Sequence, residues 1–239
     1  MGLGDVSVTG SPSFESGTRN HFWDDAAVIQ SESGGWASRG TVGYPVRTTR
    51  LLLRPLGEGD VEDVVAYRSR SDVCRWVPFE PMSRGDVLDR IRNVWSLGQL
   101  TDEGQALTLG VELPAAETPD VGVQAQPGRR GIVIGDVVLF WRSREHASGE
   151  IGYVFHPDYG GQGFATEAVR ALLDIAFGTY RLRRVIARID ARNLGSVRLV
   201  ERVGMRKEAH LIENEWFKGA WSDEIDYAML QREWLSKRP

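Results

Sequence analysis

The sequence predicts a mixed α/β fold in which a layer of strands packs against helices. Three observations support this prediction. Short apolar runs with strand character alternate with two helical patterns between residues 51 and 141. From Glu150 to Ile189, a strand, a glycine-rich turn, a helix and a second strand follow in immediate succession. The helix of this unit carries one apolar stripe at helical spacing, made of Ala165, Ala168, Val169, Leu172, Leu173, Ala176 and Phe177.

The remaining elements follow from local patterns. Strands are predicted over residues 51–53, 106–113, 132–141, 150–155, 185–189 and 225–230. Asp60 is expected to N-cap a first helix, and Ser83 with Asp86 three residues later predicts a capping box for a second. A helix over 196–203 is expected to end at Gly204. Residues 114–131, with three prolines, are predicted to form a loop insertion.

Composition limits the classes of function. The 239-residue chain is 41% hydrophobic and 26% charged, as in ordinary globular domains, and its net charge of -4 gives no basis for bulk nucleic-acid binding. One cysteine and four histidines predict no disulfide and no zinc site, hence no metal. No apolar run reaches the roughly 18 residues of a membrane span, and no signal peptide is expected. A cytoplasmic protein is therefore expected.

The N-terminal region differs in composition from the rest. Its first 44 residues contain eight glycines and seven serines without a sustained period. Residues 1–46 are therefore expected to form a flexible or surface-docked arm, and residues 47–239 a single domain. Phe22, Trp23 and Trp36 suggest that the arm docks on this domain or on a second subunit, so a homodimer is one expectation.

The glycine-rich turn predicts a phosphate site. Gly160, Gly161 and Gly163 lack a Cβ, so backbone N–H groups can approach a ligand closely, and the helix that follows directs the positive end of its dipole at the same place. The turn has no lysine, which argues against an NTPase loop. It fits only the first half of a dinucleotide-binding fingerprint.

Three segments together resemble the GNAT superfamily of N-acetyltransferases. Residues 160–165, Gly-Gly-Gln-Gly-Phe-Ala, resemble its pyrophosphate loop, although Gly160 stands where the family usually has Gln or Arg. Residues 193–205 resemble its Asn-x-x-Ser segment, and residues 49–56 resemble the first strand of the RimJ and RimL branch. The resemblance covers about residues 47–234.

The resemblance implies a mostly antiparallel central sheet flanked by helices and acetyl-CoA as cosubstrate. In that family the strand before the loop splays from its neighbour, its free backbone groups bind pantetheine and polarise the thioester carbonyl, and the loop binds pyrophosphate. Carried over to this sequence, the residues expected at acetyl-CoA are Tyr153, Val154, Phe155, Gly160, Gly161, Gln162, Gly163, Phe164, Ala165, Thr166, Asn193 and Arg198.

Two residues are candidates for the chemistry. The resemblance implies that Ser196 protonates the departing thiolate, whereas its residue type alone also fits the N-cap of the following helix. Glu150 is the candidate general base, and its alternative role is that of a solvated charge at a strand end. The weaker candidates are Asp190, Glu208, Asp223 and His156.

The resemblance implies direct transfer of an acetyl group to a primary amine. The RimJ and RimL branch suggests a protein N-terminus as acceptor. A small amine of the aminoglycoside type is the first alternative, since fold does not determine substrate. A non-catalytic acyl-CoA-binding module is the second, because Gly160 removes one family contact.

Overall fold

The computed structural model describes residues 40–115 and 131–237. Its centre is one eight-stranded sheet with the strand order β1-β2-β3-β4-β5-β6-β8-β7. The strands are β1 Val46–Arg47, β2 Leu52–Arg54, β3 Ala106–Pro114, β4 Gly131–Ser143, β5 Ser148–Phe155, β6 Arg184–Asp190, β7 Arg206–Phe217 and β8 Ala220–Leu230. Only β5 and β6 pair in parallel among these strands. The predicted α/β fold with a mostly antiparallel sheet is confirmed.

Helices cover both faces of the sheet. They are α1 Val61–Arg68, α2 Ser71–Cys74, α3 Arg84–Arg90, α4 Phe164–Asp174, α5 Leu194–Val203 and α6 Gln231–Ser236. One core joins α4 and α5 to inward residues such as Leu107 and Leu139, and we call this side the α4 face. A second core joins α1 and α3 to Val133 and Val154, and we call this side the α1 face.

A buried ion pair fixes α1 to the sheet. The guanidinium of Arg68 donates two hydrogen bonds to Asp136 on β4, at 3.0 and 2.6 Å, and Tyr67 donates a third at 2.7 Å. Arg68 also lies over the rings of Phe79 and Trp95. Removing either charge would leave the other buried without its partner, at a cost of about 3–5 kcal/mol.

The six predicted strands are present with shifted ends, whereas β1 and β7 were not predicted. β7 is an edge strand, and eleven of its twelve residues are half-buried or exposed on a pattern that does not alternate. A strand with no buried face lacks the period-two signal. The Ser83–Asp86 capping box is confirmed, and Asp60 is the N-cap residue of α1 as predicted, but its side chain makes no capping hydrogen bond, because its carboxylate accepts from the N–H of Gly57 and from Arg54.

The segment before the first predicted strand packs on the domain. Val42 is buried in the main core, and its backbone exchanges two hydrogen bonds with the side chain of Gln99. The hydroxyl of Tyr44 donates to the carbonyl of Gly98. The expected boundary between residues 46 and 47 therefore falls inside a packed segment. Residues 1–39, with the aromatic cluster, and residues 116–130 of the insertion lie outside the described residues.

Two further findings on the described residues concern membrane spans and metal sites. None of its helices has the length and apolar character that a membrane span requires. Over the same residues, no group of three or more histidine, cysteine or acidic side chains is arranged to hold a metal ion.

Candidate active site

The sheet forks between β5 and β6. The two strands pair only from Ser148 with Arg184 to Glu150 with Ile186, over three residue pairs. Beyond this point β5 continues along β4 to Phe155, while β6 continues along β8 to Asp190. The separation leaves a cleft between the two strands, with backbone N–H and C=O groups of β5 along one side.

The glycine loop follows β5 and leads into α4. Gly161 has φ of +77° and Gly163 has φ of +83°, the left-handed region that favours glycine. A Cβ on Gly161 would meet nothing within 4 Å, so the space beside the loop is open. Gly163 is the N-cap of α4 and provides no side-chain cap. The first turn of α4 therefore presents its dipole end to this space, which fits a pyrophosphate.

Arg50 contacts the same loop, and this contact was not predicted from the sequence. Its guanidinium donates to the carbonyl of Gln162 at 2.9 Å and lies 4.5 Å from the ring centroid of Phe164. Glu167 on α4 accepts from its side chain and from its backbone, both at 2.8 Å. Because Arg50 and Gln162 lie 112 residues apart, no local pattern could indicate this contact.

The start of α5 lies on the other side of the fork. Asn193 is its N-cap, and its side-chain oxygen accepts from the N–H of Ser196 at 3.1 Å. The helix begins two residues earlier than predicted, so the alternative that Ser196 caps it is wrong. Tyr153 of β5 donates its hydroxyl to the carbonyl of Ser196 at 3.3 Å, across the fork. Burial raises the pKa of Tyr153 to about 12, so this hydroxyl stays protonated at neutral pH.

The other residues expected to bind acetyl-CoA differ in position and in burial. Gly160, Gln162, Ala165 and Thr166 lie on the loop or the first turn of α4, and Phe155 lies at the end of β5. The side chains of Val154 and Phe164 are buried in the cores, so these side chains are not available to bind the cosubstrate. Arg198 is exposed on α5.

Glu150 lies where the fork opens. Its side chain is on the α1 face, opposite Phe140 of β4, and the residue is only 5% exposed. One oxygen, Oε2, accepts from Arg142 at 2.9 Å and from Arg188 at 3.3 Å. The alternative of a solvated strand-end charge is therefore wrong, because Glu150 is a buried carboxylate with two cationic partners.

Further carboxylates lie near Arg188 on the α1 face. Glu224 and Asp226 of β8 alternate with the core residue Ile225, and Asp226 is the register partner of Arg188. Burial, with a smaller contribution from neighbouring carboxylates and against the effect of Arg188, raises the pKa of Glu224 above its ordinary value. Oδ1 of Asp226 is buried and has no hydrogen-bond partner among the described residues. Neither carboxylate was predicted from the sequence, although the alternation of polar and apolar residues from Glu224 to Tyr227 was a usable signal.

The weaker candidates for the general base are engaged elsewhere. Asp190 binds Arg192, and Glu208 binds two arginines. Asp223 accepts from the backbone of Glu213. His156 accepts from the N–H of Asp158, and burial lowers its pKa.

The comparisons with known proteins agree with this geometry. A family model described as an acetyltransferase (GNAT) domain matches residues 50–206. The uncharacterized N-acetyltransferase YnaD of Bacillus subtilis is 30% identical over 190 residues, which cover 79% of this chain and 98% of that protein. The spermidine N(1)-acetyltransferase of Vibrio cholerae is 29% identical over 189 residues, 79% of this chain and 98% of that protein.

Solved structures show the same fold. A GNAT-family acetyltransferase from Bacillus anthracis superposes with a TM-score of 0.65 at 29% identity, covering 79% of this chain and 99% of that one. Spermidine N-acetyltransferase from Vibrio cholerae, solved with CoA and spermine, has a TM-score of 0.60 at 23% identity and covers 79% and 99%. This chain therefore belongs to the GNAT family and is an acetyl-CoA-dependent N-acetyltransferase.

Proposed function

We propose that the enzyme transfers the acetyl group directly to a primary amine at the fork between β5 and β6. The observation that carries this proposal is the fork itself. A glycine loop with a helix N-terminus follows one of its strands, and the Asn193–Ser196 turn follows the other. The pyrophosphate and the thioester of an acyl-CoA require sites of these two kinds.

The pyrophosphate and the pantetheine arm of the cosubstrate contact different residues. The pyrophosphate lies against Gly161 and Gly163 and the first turn of α4, beside the guanidinium of Arg50, which is paired with Glu167. The pantetheine arm runs along β5 beside Tyr153, Val154 and Phe155, and Asn193 contacts it from the start of α5. An N–H of β5 facing the cleft polarises the thioester carbonyl.

The reaction then needs two proton transfers. The neutral amine attacks the carbonyl carbon, and the C–S bond breaks as the tetrahedral intermediate collapses. Ser196 gives its hydroxyl proton to the departing sulfur and regains one from solvent. The proton that the amine loses passes to Glu150 through water.

Glu224 is the second candidate for this base. Its raised pKa lies closer to neutral pH, which suits a base, whereas Glu150 lies nearer the fork. The Glu150→Gln and Glu224→Gln variants separate them by the acid limb of the pH profile of kcat/KM. Only the variant that removes the base loses that limb.

Two acceptors fit the proposed reaction. The RimJ and RimL resemblance favours a protein N-terminus. The carboxylates of Glu224 and Asp226 on the α1 face favour a small amine with further positive charges, because they attract cations. The spermidine acetyltransferase relative supports the second acceptor, and we propose it as the better supported by the geometry.

The test is release of free thiol from acetyl-CoA over a panel of amines. The panel contains spermidine, spermine, an aminoglycoside and peptides with free N-termini, and mass spectrometry identifies each acetylated product. We expect the polyamines to give the highest kcat/KM. Peptide acetylation alone would support the N-terminal acceptor. CoA binding without thiol release for any amine would indicate a non-catalytic acyl-CoA-binding module.

A further inference from the structure

A segment after α1, residues 70–80, bridges the two strands beyond the fork. At one end, Nη1 of Arg70 lies 3.8 Å from a carboxylate oxygen of Asp158, which follows β5. In its middle, the ring of Trp76 lies 5.3 Å from the guanidinium of Arg192, which follows β6. We call residues 70–80 the bridge segment. Its contacts with both diverging strands place it at the open end of the fork.

One lysine connects the β7–β8 hairpin to this bridge segment. Lys218 and Gly219 form the hairpin turn, with φ of +49° and +82°. The ammonium of Lys218 donates to the carbonyls of Cys74 and Phe79, both at 2.9 Å. It also lies 3.2 Å from a carboxylate oxygen of Glu80. The ammonium therefore makes two hydrogen bonds and one ion pair with the bridge segment.

Lys218 is less exposed than lysines at hairpin turns usually are. Such lysines are usually solvated, whereas the side chain of Lys218 is only 25% exposed. Its contacts join parts of the chain that lie 144 and 139 residues apart. The hairpin that it holds contains Glu224 and Glu215 as well, so the connection reaches the carboxylates of the α1 face.

We propose that Lys218 is a positioning residue for the acceptor. It holds the hairpin against the bridge segment and so keeps in place the wall of the groove through which the amine reaches the fork. This inference rests on the proposed function. The pyrophosphate loop leads into α4, which packs on the other face of the sheet, so the lysine has no direct part in CoA binding.

The experiment compares Lys218→Met with Lys207→Met, an exposed lysine on β7 of the same hairpin. We expect Lys218→Met to raise the acceptor KM about 3- to 10-fold, because a released bridge segment must be ordered again when the amine binds. CoA affinity, measured by calorimetry, should stay within about twofold of wild type. Lys207→Met should match wild type in acceptor KM and in CoA affinity. Lys218→Arg should raise the acceptor KM less than Lys218→Met does, because it keeps the positive charge.

A purely structural role would give a different result. Lys218→Met would then lower the melting temperature and leave the acceptor KM equal to that of Lys207→Met, which overturns the proposal. Hydrogen exchange gives a second measurement on folded protein, and we expect faster exchange in residues 74–80 of the variant only. Unchanged exchange there also overturns it. If wild type acetylates no amine, the proposed function fails as well, whereas wild-type turnover with an unchanged variant KM refutes this inference alone.

Discussion

Replacing Gly163 by alanine tests the phosphate site most directly. The residue has φ of +83°, so any L side chain is strained there by about 1–2 kcal/mol. A Cβ would lie 3.5 Å from the guanidinium of Arg50, an ordinary contact, so the folded protein itself has room for it. The strain should lower the melting temperature by about 2–8 °C for a domain of this size.

Gly104 is the matched control. Its φ is +84°, and a Cβ there would meet nothing within 4 Å, so Gly104→Ala carries the same backbone strain away from the loop. Only Gly163→Ala places a methyl group where the pyrophosphate approaches the backbone. If one or two phosphate hydrogen bonds are lost, CoA binding weakens by about 1–3 kcal/mol, or roughly 5- to 150-fold.

Calorimetry with CoA on both folded variants measures the difference. We expect similar losses of melting temperature in the two proteins and a loss of affinity in Gly163→Ala alone. Equal CoA affinity in wild type and both variants would refute the assignment of the loop. Equal losses of affinity in both variants would show that strain, and not contact with phosphate, caused the effect.

Three further predictions follow from the structure. Ser196→Ala should lower kcat without changing CoA affinity or the melting temperature. Asn193→Ala should instead lower the free energy of unfolding by about 0.5–2 kcal/mol, because the helix loses its N-cap. Thermal melts and steady-state kinetics on both variants measure the difference. Removal of residues 1–39 should leave a cooperative melt, and removal of 1–44 should lower its midpoint, because only the longer deletion takes away a buried core valine and its hydrogen bonds. Hydrogen bonds from two arginines lower the pKa of Glu208 from 4.5 to about 2. The stability that this carboxylate adds is therefore complete above pH 4.5 and is lost as the pH falls towards 2. Glu208→Gln should flatten the dependence of unfolding free energy on pH in this range, as measured by acid titrations followed by circular dichroism.

The glycine loop and the capping box could be read from the sequence because their physics is local. Gly161 and Gly163 are needed for a backbone conformation that neighbouring residues define, and Ser83 with Asp86 close a ring of hydrogen bonds within one helical turn. The apolar stripe of α4 depends only on helical spacing. Of these patterns, the glycine loop also carried the resemblance that led to acetyl transfer, together with residues 193–205 and 49–56.

Other parts of the site could not be predicted in this way. β7 has no buried face and hence no period, and Arg50 reaches the loop across 112 residues. The strand pattern predicted β5 and β6, but their separation after Glu150 was implied only by the family resemblance, because the separation is a property of the pair and not of either strand. The burial of Glu150 between two arginines likewise depends on the register of three strands.

Local conformation and amphipathic spacing were therefore determined by the sequence alone, since each depends on residues a few positions apart. The fork, the cation at the loop and the lysine contact of the hairpin were decided only by the tertiary structure. Each of them brings together groups that are distant in the chain, and their free energy depends on strand pairing and burial that no short segment contains.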